Sequence, residues 1–140
     1  MAIAECGKLI KQISDEMHKH ANNDMRAQNI TMAQLAVLLE LNATPEKQLA
    51  LKELEQRLHV AQSTAAGIVS RLEQKGFVEG FGDAADRRIK LVRITDSGLE
   101  CVRNAYQNMA KAETMLLAGL TETEQEVFYN LLKKVAQSLQ

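Results

Sequence analysis

Apolar residues recur at helical spacing along most of the 140-residue chain and switch to alternation in one segment. The first stripe is Ile3, Cys6, Ile10, Ile13 and Met17, with Leu9 beside it and Lys8, Lys11, Asp15 and Lys19 off it. It predicts an amphipathic helix over residues 2–22, followed by a polar connection over 21–28. Thr31 and Gln34 have capping-box spacing and open an apolar helix through Leu35, Leu38 and Leu39 to about residue 42. Pro45 stops the chain in the connection 43–48, and Leu49 begins a minimal strand. Leu51, Leu54 and Leu58 share one face of a helix over 51–58. After a break at 59–61, Ala65, Ile68, Val69 and Leu72 mark a helix over 62–75. Gly76 ends it, because glycine adopts the left-handed C-terminal conformation without steric cost. Residues 77–81 and 89–94 read as two strands around a turn-rich loop that finishes in Arg87 and Arg88. Leu99, Val102, Tyr106, Met109, Leu116 and Leu117 then mark a long helix to about residue 118, broken at Gly119-Leu120. Thr121 and Glu124 cap a last helix carrying Val127, Phe128, Leu131, Leu132, Val135 and Leu139.

Two helices joined by a short turn form a helix-turn-helix, whose second helix enters the DNA major groove. Followed at once by a basic-tipped hairpin, the arrangement is a winged helix. The expected fold is mainly α with a small β-hairpin wing (α+β). Residues 1–140 make a single domain, with 31–95 as the winged helix-turn-helix part. The terminal helices, 1–22 and 98–140, are more than a helix-turn-helix needs. On pattern alone they either close the core of one monomer or form a two-fold dimer interface.

Composition adds mainly exclusions. The chain is 46% hydrophobic and 25% charged, with one Pro and no Trp. Its apolar runs are only a few residues long, so no membrane partner is expected. The start, MAIAECGKLIKQIS, lacks the apolar core of a secretion signal. Two cysteines are too few for a disulfide framework, and a cytoplasmic location follows as the expectation. Net charge is −1, yet residues 50–93 carry eight Lys/Arg against six Asp/Glu, while the rest carries nine against twelve. That asymmetry favours DNA only alongside the motif.

Two runs within this segment resemble the MarR family of transcriptional regulators. One is Arg71-Leu72-Glu73-Gln74-Lys75-Gly76-Phe77-Val78, similar to the family's RLE-x-x-G-[LF]-[VI]. The other is Asp86-Arg87-Arg88 followed by Ile94-Thr95, similar to the wing's D-x-R and Leu-Thr, with Ile94 in the Leu place. The resemblance implies a homodimer built by the terminal helices, acting on double-stranded DNA at a palindromic operator. Repression relieved by a small-molecule effector is the expected mode. It also makes Arg88 the wing arginine, held by Asp86, with Arg87 and Lys90 on flanking phosphates. On the reading helix Gln62, Ser63 and Thr64 would supply base or phosphate contacts, and Arg71 a phosphate contact.

The reading helix departs from the family. Relatives commonly carry Ser-x-Ser-Thr-x-Thr-Arg where this chain has Ala61-Gln62-Ser63-Thr64-Ala65-Ala66-Gly67. Ala61 is a poor N-cap, and no arginine stands mid-helix to grip guanine bidentately. The outward residues are Ser63, Gly67, Ser70 and Gln74. Either the protein reads other positions, or small residues let the backbone approach the bases, with Ala66 free for a thymine methyl.

The resemblance places an effector in a crevice lined by Ile10 and Met17, by Leu35, Leu38 and Leu39, and by Tyr106. Such an apolar lining suits an aromatic or lipophilic compound. The same residues would also make an ordinary core. No catalytic constellation, cofactor motif or metal set emerges, and the chain is not expected to be an enzyme. His18 and His20 point different ways on a helix, and His59 is alone. Where a zinc-sensing branch of the family keeps His-x-x-x-His, this chain has Cys101 and Ala105. Cys6 lies near the place of the reactive cysteine in peroxide-sensing relatives, although a cysteine on an apolar face is usually a small hydrophobe. Thiol-redox sensing through Cys6, regulation without an effector, and a winged-helix module that binds protein remain the alternatives.

Overall fold

A computed structural model describes residues 2–140, with side chains from Ala4 onward. Ile3, placed on the first stripe from the sequence, lies outside the described side chains. A 3-10 turn, Ala2–Glu5, leads into α1, Cys6–Ala27. Then follow α2 (Met32–Ala43), β1 (Gln48–Ala50), α3 (Leu51–Leu58), α4 (Gln62–Gln74), β2 (Val78–Gly82), β3 (Lys90–Ile94), α5 (Asp96–Leu117) and α6 (Glu122–Ser138). The strands form one antiparallel sheet in the order β1-β3-β2, with Leu49 opposite Val92 and Val78 opposite Ile94.

Local chemistry explains most of the boundaries. Thr31 and Gln34 exchange side-chain and backbone hydrogen bonds at the start of α2, as do Thr121 and Glu124 at the start of α6. The end of α4 is a Schellman closure: Gly76 N–H donates to Glu73 O, and Phe77 N–H to Leu72 O. Gly76 sits at φ 78°, the left-handed region that glycine enters freely. Phe77 is spent on this cap, so β2 starts one residue later than alternation predicts. Ile89 is likewise outside β3, because its N–H donates to Asp86 O within the loop instead of across to the other strand. His59 ends α3 in the left-handed conformation and makes the turn of the helix-turn-helix.

The first helix is the largest departure from expectation. It runs through the polar residues 21–27 and stops at Ala27, where Asn29 turns left-handed and Ile30 N–H donates to Met25 O. Met25 and Ile30 pack on the core, and that contact outweighs the weak helix propensity of Asn22 and Asn23.

The core lies under the winged helix. Val37, Leu38, Leu41, Leu54, Val69, Leu72 and Val92 are fully buried. Cys101 and Val102 carry the same cluster onto α5. By contrast, no side chain of α1 or α6 is buried among the described residues. Burial pushes the Cys101 thiol up, against a smaller opposing pull from Lys75. Its reactive thiolate is therefore scarce at neutral pH. Native protein should leave Cys101 unalkylated by iodoacetamide under conditions where urea-unfolded protein reacts fully. Mass spectrometry locating label on Cys101 of the native protein would contradict that expectation.

Candidate nucleic-acid interface

The reading helix α4 sits on Ala65, Val69 and Leu72, which are buried. This leaves Gln62, Ser63, Thr64, Ala66, Gly67, Ser70 and Arg71 exposed on one contiguous surface. Ala61 provides no side-chain cap, which leaves the N-terminal N–H groups of α4 without a capping hydroxyl or carboxylate among the described residues. Those donors and the helix dipole suit a phosphate. A side chain at Gly67 would meet nothing within 4 Å, so packing within the chain does not require glycine there.

The wing carries the second half of the surface. Asp86 Oδ1 accepts from Arg88 N–H at 3.1 Å and from Arg88 Nε at 3.0 Å, while Oδ2 accepts from Nη2 at 3.1 Å. The carboxylate thus fixes the guanidinium in a fork while the Arg88 side chain stays 91% exposed. The Arg88 side chain holds the Asp86 carboxyl below the usual carboxylate range, and Asp86 in turn raises Arg88. The fork therefore favours the ionised carboxylate. Arg87 is exposed beside it and makes no ion pair among the described residues. Asp83 Oδ1 accepts from Ala85 N–H and shapes the same loop.

Lys90 differs from its expected place. Its Nζ lies 3.0 Å from Glu73 Oε1 on α4, so the ammonium turns back onto the reading helix instead of projecting from the wing. The reason is strand alternation: Lys90 shares a face with Val92 and Ile94, which are buried against the helices. Two further residues, Lys75 and Arg93, make contacts that were not legible in the sequence. Lys75 Nζ donates to Asn29 O and to Gln34 Oε1 at 2.8 Å, tying the end of α4 to the α1–α2 turn. Arg93 pairs with Glu79 at 3.1 Å and stands 4.9 Å over the Phe81 ring. Glu73 stood inside the quoted RLE run, but only the fold shows what it meets.

The expected effector lining is not brought together. Leu38 is fully buried and offers no surface to a ligand, and Leu35 and Leu39 pack against the core. Ile10 and Tyr106 are exposed. A groove of about 690 Å³ opens instead between α1 and α5. Ile13, Met17, Met115 and Leu116 form its apolar floor, and Asp15, Glu16, His20, Asp24 and Lys111 stand around them. Of the predicted lining only Met17 belongs to it. Cys6 is exposed in the single chain, not buried on an apolar face. Among the described residues no group of three or more His, Cys, Asp or Glu is placed to hold a metal.

Comparison with known proteins gives a consistent result. The MarR family model matches residues 30–90, from the turn before α2 to the start of β3. The uncharacterized HTH-type transcriptional regulator YwaE of Bacillus subtilis (strain 168) is 40% identical over 80 residues, 57% of this chain and 47% of YwaE. This chain thus spans about half the length of that relative. The PcaV transcriptional regulator of Streptomyces coelicolor is 32% identical, with a TM-score of 0.70 over 95% of this chain and 96% of that one. The S. aureus MepR–DNA complex is 28% identical, with a TM-score of 0.85 over 96% and 99%. The chain belongs to the MarR family of winged-helix transcriptional regulators, whose members regulate transcription and are not enzymes.

Proposed function

We propose that this chain is a homodimeric, sequence-specific DNA-binding regulator, acting as a repressor on a palindromic operator in the cytoplasm. Residues 31–95 are the reading part, and the terminal helices are the dimer interface. The carrying observation is the pairing of an exposed reading helix with a wing arginine already held outward by Asp86. The likeness to MepR in its DNA complex supports the same reading. Base and backbone contacts then come from Gln62, Ser63, Thr64, Ala66, Gly67 and Ser70, and phosphate contacts from Arg71 and Arg87. No helix of the described residues is long and apolar enough to cross a membrane. A mobility shift on the DNA upstream of the chain's own gene tests this, with retardation resistant to excess unrelated duplex as the expected result.

The dimer is supported by what α1 and α6 expose. Leu9, Ile10, Ile13 and Met17 on α1, and Val127, Leu131, Leu132 and Val135 on α6 with Leu139 at its C-cap, are each at least 39% exposed in the single chain. Apolar stripes of this extent mark an interface. Two reading heads related by a two-fold axis match a palindromic site. Sedimentation at micromolar concentration should show a dimer, and a monomer there would sink the proposal.

The effector is the finer part of the reading. The groove between α1 and α5 lies in the size range of small-molecule sites, and its apolar floor suits an aromatic or lipophilic compound. Such a ligand lowers operator affinity only by favouring a spacing of the two heads that the operator does not match. Phenolic acids and lipophilic cations that displace operator DNA would support it. A screen in which none changes affinity or melting temperature would leave a regulator without an effector.

A further inference from the structure

We infer that Glu73 and Lys90 form a clasp that sets the angle of the wing against the reading helix, making both positioning residues for operator binding. The inference rests on the interface proposed above. Glu73 stands in the last turn of α4, where the helix dipole disfavours an anion, and so gains from a cation placed beside it. Lys90 is the first residue of β3 and lies opposite Gly82 on β2. Strand alternation aims it at the helices, and its Nζ meets Glu73 Oε1 at 3.0 Å, 17 residues away in sequence.

A third residue makes room for the pair. Gly80 lies between them on β2, and a Cβ there would stand 2.7 Å from Lys90 Cε and 3.0 Å from Glu73 Oε1. The Lys90 stem passes over this gap, so α4, β2 and β3 meet at one point. Nothing else among the described ion pairs joins the wing to the reading helix. Arg93 pairs with Glu79 within the sheet, and Arg88 with Asp86 within the loop. Without the clasp, the hairpin beyond Gly80 is free to swing relative to α4. An operator that must engage the reading helix and Arg88 at once then pays for restoring their spacing.

The clasp makes an unusual forecast about sign. Glu73 is an acid beside the DNA-facing surface, so its removal should ordinarily tighten DNA binding by relieving repulsion. A positioning role predicts the opposite. Glu73→Met and Lys90→Met keep the length of each side chain and remove the pair. The probe is the tightest duplex that the purified protein selects from a random pool. Each single variant should bind it about three- to fivefold more weakly, the range an exposed ion pair supports. The double variant should be no weaker than either single one, and the dependence of affinity on salt should keep its slope in all three. Unchanged melting temperatures within the set separate positioning from loss of fold, since unfolding would weaken unrelated duplex equally.

Three results would overturn the clasp. Tighter or unchanged binding by Glu73→Met is one. Additive losses in the double variant are another. A Lys90→Met loss accompanied by a salt slope lower by about one unit would make Lys90 a phosphate contact instead. Arg88→Ala, measured alongside, keeps the underlying reading distinguishable. If it weakens binding while Glu73→Met does not, only the clasp fails. If it has no effect, the wing reading falls and the clasp with it.

Discussion

Gly98→Ala should lower the stability of the chain by roughly 3 kcal/mol or more, at the upper end of what overpacking costs. The added methyl would collide with the carbonyl oxygen of Phe77 and stand 2.6 Å from Ile94 Cγ1. Neither neighbour is free to yield. The Phe77 carbonyl accepts from Thr95 N–H, and Phe77 N–H closes the end of α4. Ile94 is buried at the end of β3. Thr95 binds the same junction twice more, since its hydroxyl donates to Gly76 O at 2.6 Å and accepts from Gly98 N–H at 3.2 Å. The end of α4, both wing strands and the start of α5 therefore meet around Gly98, and relief for one strains the others. For a chain of this size the melting temperature should fall by roughly 10 °C. Calorimetry on the variant checks it, and a shift under about 2 °C would show that the junction relaxes more easily than its hydrogen bonds imply.

How much of this was legible in the sequence depended on how local each cause is. The bounds of α3 and the capping boxes at Thr31 and Thr121 follow from neighbours within four residues, and the structure has them where the spacing puts them. The hold of Asp86 on Arg88 is equally local, two residues apart, and it too was readable. Where α1 ends was not, because Met25 is held by a core assembled from distant segments. The contact of Lys90 with Glu73 was not readable for the same reason. Glu73 lies across a turn and a strand, and alternation alone does not say which face of a hairpin meets a helix. The effector lining is a different case: Leu38 has the same apolar character whether it lines a crevice or fills a core, and only packing decides. The empty space at Gly67 excludes packing within the chain as the reason for glycine there.

Arg88→Ala should cost on the order of 1–3 kcal/mol of operator binding, as loss of a specific contact does. The size follows from how the arginine is prepared. Asp86 holds Nε and Nη2, so the side chain has fewer orientations to lose on binding, while the rest of the guanidinium faces outward. An arginine on a narrow hairpin tip suits the minor groove, where negative potential deepens as A·T tracts narrow it. The loss should accordingly be larger on operators with A·T-rich flanks than on G·C-rich ones. Arg87 lies one residue away with no ion-pair partner among the described residues, and serves as the comparison. Arg87→Ala should weaken all sequences alike and lower the salt slope by about one unit, the behaviour of a phosphate contact. Asp86→Ala should reproduce part of the Arg88→Ala loss, because it frees the arginine without removing it. Titrating the three variants against both flank types decides between recognition and charge. Equal losses on both flanks, with the same change of salt slope for Arg87 and Arg88, would reduce the wing to a source of positive potential.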